Sequence, residues 1–365
     1  MNRGVAVVTG GSAGLGRAIV RELAARGFDV AVLARGEDGV AGAVKDVEAA
    51  GRRGLGIPTD VADHEQVDAA AERVERELGP IEVWVNDAMV SVFAEFWHIE
   101  PKDFERAVAV DFMGYANGTR AALKHMRPRN RGAIVQVGSA LGHRGIPLQS
   151  AYCSSKGAIT RFNESLVVEL LHEKSKVTVS QVDMPAMNTM QFDWVKSDLP
   201  KHAQPVPPIY QPEICAKAVV DVAISPRRRT WVGESTVFTI IGNRLATRVA
   251  DWQLIRSGYK SQQADDVDLT TLPPNLYDPV PGDHGAHGAF DRRSVSITPQ
   301  TWAITHRPAT VAIGTGALTA LVVSLPRILR GGARAAAPLA KPAGKKAVQI
   351  AARRAGRRLT GAVRH

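Results

Sequence analysis

The sequence predicts an α/β fold, a doubly wound parallel sheet with its functional site at one end, and three observations carry that expectation. Short apolar runs rich in Val, Ile and Ala recur at 5–8, 29–34, 54–58, 81–85, 133–137 and 177–182, separated by segments of helical period. Strands apolar on both faces fill a parallel sheet covered by helices on each side. The first run leads directly into Thr9-Gly10-Gly11-Ser12-Ala13-Gly14-Leu15-Gly16. The fifth is followed by Ser139 and, thirteen residues on, by Tyr152-Cys153-Ser154-Ser155-Lys156.

After the glycines, Ile19, Leu23 and Ala24 share one helical face while Arg17, Arg21 and Glu22 take another. A glycine turn between strand and helix lets the backbone approach a pyrophosphate, held by amide N–H groups and the positive end of the helix dipole. Gly10, Ser12, Gly14, Leu15 and Gly16 are therefore candidate cofactor residues. The second strand ends at Arg35. A guanidinium there pairs with a 2′-phosphate, whereas an acid would take ribose hydroxyls, so NADP(H) is expected over NAD(H). Glu37 and Asp38 weigh the other way, and a solvated arginine is the plain alternative.

Residues 41–50 read as a helix and 54–58 as a third strand, followed by Asp60-Val61. Asp60 or Asp63 can cap the helix expected at 64–78. The fourth strand runs into Asn86-Asp87-Ala88-Met89, and one long helix is expected over 101–127, with Asp111 inside it. If Tyr152 opens a helix, Lys156 lies one turn on and on the same face. A fixed ammonium beside a phenol favours the phenolate, and a Ser139 hydroxyl can polarise a carbonyl oxygen. Taken alone, Tyr-x-x-x-Lys often marks only a solvated helix face.

With the upstream serine and the Gly-x-x-x-Gly-x-Gly turn, the sequence resembles the short-chain dehydrogenase/reductase family over residues 3–242, and so a Rossmann-type domain. The resemblance implies catalytic roles for Ser139, Tyr152 and Lys156, with the last two also holding the nicotinamide ribose. It implies that Asp60 and Val61 meet the adenine, that Asn86 borders the cofactor, and that Pro185 and Thr189 hold the carboxamide end. Asp111 stands where the family commonly has an Asn that supports a water relay from the lysine. Asp87, Met89 and Ala186 depart from the usual Asn, Gly and Gly. A dimer or tetramer is implied as well.

Residues 191–210, rich in Pro, Lys and aromatics, are expected to form a lid; 213–224 reads as a helix and 229–233 as the last strand. Residues 243–307 form an extension, with helices from 236 to 259 packed on the core or a partner and a Pro-, Gly- and Asp-rich loop over 261–299. Asp283, His284 and His287 invite a metal, but no fourth ligand follows at a familiar spacing, so none is expected. An uncharged stretch at 309–325 within an apolar segment 308–326 is slightly short for a bilayer core, and a crossing would export basic residues.

The chain of 365 residues carries a net charge of +10, and eleven Lys or Arg with no acid lie in 327–365, so residues 1–326 are close to neutral. That tail suits an anionic membrane surface better than nucleic acid, since it lacks interleaved aromatics for stacking. Cys153 and Cys215 cannot build a disulfide framework, which fits a reducing, cytoplasmic setting with peripheral membrane contact through the tail. The expected activity is hydride exchange between NADP(H) and an apolar carbonyl or alcohol, for which Phe93, Phe96, Trp97, Phe192 and Trp194 are candidate walls. The alternative is a protein of the same fold, attached to a membrane surface by its C-terminus, that holds NADPH as a structural or sensing ligand.

Overall fold

The computed structural model describes residues 2–268, 272–306 and 310. One compact unit covers Met1–Arg307 and a second Pro308–His365. The apolar segment and basic tail expected at 308–326 and 327–365 lie outside the described residues, Thr310 apart.

Seven parallel strands make the central sheet: β1 (Val5–Thr9), β2 (Asp29–Ala34), β3 (Gly54–Pro58), β4 (Ile81–Asn86), β5 (Ala133–Ser139), β6 (Thr178–Met184) and β7 (Arg229–Trp231). Their spatial order is β7-β6-β5-β4-β1-β2-β3. The order reverses between β1 and β4, which leaves a crevice beyond their carboxyl ends, the place where such sheets bind ligands. The glycine turn leaves β1 there and Asp87 leaves β4 there.

Strand periodicity divides the core. Ala6, Val8, Val30 and Val32 enter one apolar layer with Ile19, Leu23, Val40 and Val219. Val5, Val7, Ala31 and Leu33 enter the other with Val67, Val74, Met126 and Leu166. Successive side chains point to opposite faces, so runs without a polar position are what a sheet covered on both sides requires. The first layer is closed by α1 (Gly14–Ala25), α2 (Glu37–Ala49) and, later in the chain, by Pro212–Ile224.

Helix α2 starts four residues earlier than the sequence suggested, placing Glu37 and Asp38 in its first turn, where the helix dipole favours acids. Asp63, not Asp60, caps α3 (His64–Glu77) by accepting from the Glu65 and Gln66 amides. The single helix expected at 101–127 is α4 (Pro101–Val108) and α5 (Gly114–Arg129), joined by one wide π turn over Ala109–Met113. That extra residue turns Asp111 fully inward. Helix α6 (Ser150–His172) opens two residues before Tyr152, so Tyr152 and Lys156 project from its first turns.

After α7 (Pro212–Ile224) and β7 come α8 (Glu234–Leu245) and α9 (Thr247–Ser257). Packing on the core or on a partner was expected for this pair; within the chain α8 buries only Thr236 and Ile240 and α9 buries no residue. Phe238, Leu245, Val249, Trp252 and Ile255 stay exposed. The segment 272–290, read as loop, is anchored by Leu276, Val280, Ala286 and Phe290, all buried. Burying side chains the size of Leu276 and Phe290 stabilises by roughly 1.5–3 kcal/mol each. A short helix, α10 (Pro299–Thr305), is capped by Thr298.

Candidate active site

A cavity of about 910 Å³ lies beyond the carboxyl ends of the central strands, and Gly10, Ser12, Gly14 and Leu15 form one end of it. The turn is shaped by residues that cannot carry a Cβ. Gly10 has φ +73°, and a Cβ on it would come 2.6 Å from Ala88 Cα. On Gly16 a Cβ would stand 2.2 Å from the Gly10 carbonyl oxygen, so the helix start presses directly on the turn. Beneath it, Arg17 is 2% exposed and donates to Asp46 at 2.6 Å and to the Ser12 carbonyl at 3.1 Å. This guanidinium fixes the turn from below.

Ser139, Tyr152 and Lys156 line the same cavity. Ser139 ends β5, and its hydroxyl accepts from the Leu141 amide at 3.1 Å while meeting the Tyr152 phenol. Lys156 is buried, and its Nζ donates to the Tyr115 hydroxyl at 2.8 Å and to the Val137 carbonyl at 2.9 Å. The same nitrogen lies 4.6 Å from the Tyr115 ring centre and 5.6 Å from that of Tyr152.

The electrostatics depart from the sequence-based picture of a phenol made acidic by its neighbour. Burial pushes the Tyr152 pKa well above the ordinary tyrosine value; the Ser139 hydrogen bond pulls it down, and the negative Asp111 adds to the rise. Burial lowers the Lys156 pKa, opposed by Asp111, Asp87 and Asp183. Desolvation also raises Asp87 to about 8 and Asp111 to about 7, each held back by the Lys156 charge. The reason is common to all four: removing a charge from water disfavours its ionised form. Tyr152 therefore keeps its proton through neutral pH.

Asp111 accepts from the Val90 amide through Oδ1 at 2.8 Å. Its Oδ2 is buried and has no protein hydrogen-bond partner among the described residues. Tyr115, one helical turn beyond Asp111, went unnoticed in the sequence, although that spacing places both on one face of the helix. Asp87 was noted only as a departure; its carboxylate takes the Gly16 amide and so links the glycine turn to Lys156.

Other expected cofactor residues divide. Arg35, Asp60, Val61, Pro185 and Thr189 line the cavity. Arg35 donates to the Tyr277 carbonyl at 2.6 Å and the Asn275 carbonyl at 2.5 Å, contacts no sequence signal announced. Burial lowers its pKa, and the nearby Arg106 adds to that effect. Arg106 donates to Asp60 at 2.7 Å, and Ala62 N–H donates to the other oxygen of Asp60.

Asn86 is a correction. It is fully buried, accepts from Trp84 Nε1 at 2.8 Å and donates to Gln136 at 2.9 Å, so its side chain serves a polar network inside the sheet. Its neighbours Asp87, Ala88 and Met89 reach the cavity instead.

The apolar end of the cavity includes Met89, Phe192, Trp194, Phe238, Val249 and Leu254. Arg144 also reaches it, but is tied to Asp251 and Asn243. Of the aromatics expected at the substrate, Phe192 and Trp194 line the space. Phe93 is buried in a satellite cluster with Phe192 and Phe290, and Phe96 and Trp97 are 65% and 70% exposed. Asp283 pairs with Arg17, His284 packs its ring edge to face with Trp194, and His287 pairs with Glu213. No group of three or more potential metal ligands occurs among the described residues. No helix among them is long and apolar enough to cross a membrane.

A glycine cradle with no room for side chains, amides at a helix start and a basic group near Asp60 fit a nicotinamide dinucleotide. Comparison with known proteins points the same way. A family model described as short chain dehydrogenase matches residues 4–198. An uncharacterised oxidoreductase, YxnA, of Bacillus subtilis is 32% identical over 284 residues, 77% of this chain and 79% of its own. Among solved structures, a Burkholderia phymatum short chain dehydrogenase/reductase in complex with NAD superposes with TM-score 0.62 at 22% identity, over 69% of this chain and 95% of that one. A Thermococcus sibiricus alcohol dehydrogenase complexed with 5-hydroxy-NADP gives 0.54 at 24% identity, over 62% and 94%. The last two show likeness of fold alone. Both the matched span and the identity to YxnA lead to one conclusion: the chain belongs to the short-chain dehydrogenase family.

Proposed function

We propose that this protein is an NADP(H)-dependent oxidoreductase that interconverts a carbonyl and an alcohol on an apolar small molecule. The observation that carries the reading is the presence of Ser139, Tyr152 and Lys156 in one cavity with the glycine turn. The turn of Gly10, Ser12, Gly14, Leu15 and Gly16 would border the pyrophosphate, with the Gly14 and Gly16 amides engaged by the Gly285 carbonyl and Asp87, while Asp60 and Val61 would meet the adenine and Pro185 and Thr189 the carboxamide. When bound, the nicotinamide supplies or accepts the hydride.

In the reducing direction Ser139 donates a hydrogen bond to the carbonyl oxygen and orients it. Tyr152, whose raised pKa keeps it protonated, gives its proton to that oxygen as negative charge develops there. Lys156, fixed by Tyr115 and Val137, places a cation beside the phenol and steadies the phenolate that remains. The free Oδ2 of Asp111 is a place for a water through which the proton is restored.

Arg35 supports NADP over NAD because its guanidinium lines the cavity just beyond β2, where it could pair with a 2′-phosphate. The uncharged cavity wall from α8 and α9 supports an apolar substrate. A homo-oligomer is part of the reading, as is common in the family.

The test is Tyr152→Phe, which removes one hydroxyl. We expect NADPH affinity within about threefold of wild type and turnover reduced by at least 10³-fold, in line with loss of a positioned acid. Undiminished turnover would remove the assigned acid. A second reading, a cofactor-holding protein without turnover, draws on Lys156 being engaged by Tyr115. It predicts that bound NADPH transfers no hydride to any of a panel of lipophilic ketones.

A further inference from the structure

Residues 275–290 lie beyond the stretch that the family model matches, yet they contact the glycine turn, its supporting Arg17 and the end of β2. Asn275, Pro279, Val280, Gly282 and His284 line the same cavity as Ser12 and Arg35. At the adenosine end, the carbonyls of Asn275 and Tyr277 hold the Arg35 guanidinium, and the Gly282 amide donates to Asp38 Oδ2 at 3.0 Å. Over the glycine turn, the Gly285 carbonyl accepts from the Gly14 amide at 2.9 Å. Asp283 pairs at 2.8 Å with Arg17, the same buried guanidinium that holds the Ser12 carbonyl. Toward the nicotinamide end, the Phe290 amide donates to Asn188 Oδ1 at 3.0 Å. The segment is also joined to the 191–210 loop, where the Asn275 amide donates to the Trp194 carbonyl at 2.9 Å.

We infer that residues 275–290 are a strap forming the outer wall of the cofactor site, and that the nucleotide enters and leaves only when the middle of the strap, held by Asp283 on Arg17, Gly282 on Asp38 and Gly285 on Gly14, releases. The inference rests on the cofactor reading above and adds a kinetic consequence to it. Fixed across the cleft at both ends and at its middle, the strap makes its own opening the slow step of exchange. Cofactor association then saturates at a rate set by opening, and dissociation is slow for the same reason. The middle of the strap is held by these polar contacts together with buried Val280 and Ala286, while Leu276 and Phe290 anchor its ends in apolar surroundings. Breaking the latch therefore loosens the middle of the strap without detaching its ends.

The experiment follows NADPH fluorescence in stopped flow with the full chain, as wild type and as Asp38→Ala, Asp283→Asn and Asp283→Ala. Asp38 is exposed and Arg17 keeps Asp46, so folding is expected to survive, and circular dichroism checks it. For wild type the observed association rate should level off as NADPH rises. On displacement by excess NADP⁺, the dissociation rate should increase about tenfold in Asp283→Ala and less in Asp38→Ala and Asp283→Asn. A linear association rate in wild type, or dissociation rates within twofold in every folded variant, would overturn the strap as the barrier. If wild-type protein binds neither NADPH nor NADH, the cofactor reading itself falls, an outcome distinct from unchanged exchange rates.

Discussion

Asp111→Asn tests the electrostatics of the site most directly, because it removes one charge and preserves shape. The carboxyl is fully buried, and desolvation raises it from 3.8 to about 7. Its folded pKa thus exceeds the unfolded one. The protonated form contributes stability that is fully present below the unfolded value and lost as pH rises through the folded one. The window runs from about pH 4 to about pH 7. Three units at ~1.36 kcal/mol each set a ceiling of about 4 kcal/mol on the cost at high pH. That shift already contains the attraction of the Lys156 charge, and relaxation around the buried site takes back part of the gain. We expect the asparagine variant to be more stable than wild type by about 2 kcal/mol above pH 7, and the difference to shrink toward pH 4. Oδ1 still accepts from Val90 in the variant, so the π turn has its anchor. The assay is denaturant unfolding from pH 4 to pH 9, followed by tryptophan fluorescence. Parallel stability curves for the two proteins across that window would refute the reasoning, since the buried carboxylate would then carry no pH-dependent cost.

Two other substitutions probe the cofactor end. Arg35→Ala should weaken NADPH by about 10–100-fold, the range of a lost charge-assisted contact of roughly 1.5–3 kcal/mol, while NADH changes far less. Titration of both by fluorescence gives the ratio, and an equal loss for the two would mean that Arg35 only anchors the strap. Gly16→Ala should reduce binding of either dinucleotide by at least tenfold, because its Cβ would stand 2.2 Å from the Gly10 carbonyl oxygen and displace the turn; calorimetric titration at unchanged affinity would show that the turn yields cheaply.

Much of this protein is decided by local pattern. Apolar runs of the right length dictated a sheet covered on both faces, because each side chain along such a strand meets a core layer. The glycines of the first turn were legible because only residues without Cβ fit there, and the four-residue offset of Tyr152 and Lys156 follows from helix geometry. The wide turn that sends Asp111 inward depends on one extra residue in a helix, and no composition marks it. The raised carboxyls depend on burial, held back by Lys156 from a separate element, and the inward role of Asn86 on Gln136, which lies fifty residues away in sequence. Least legible was the strap: a Pro- and Gly-rich stretch looks alike whether it wanders or binds. Its place is set by partners such as Arg17, 266 residues before Asp283, and contacts across that separation exist only once the chain has folded.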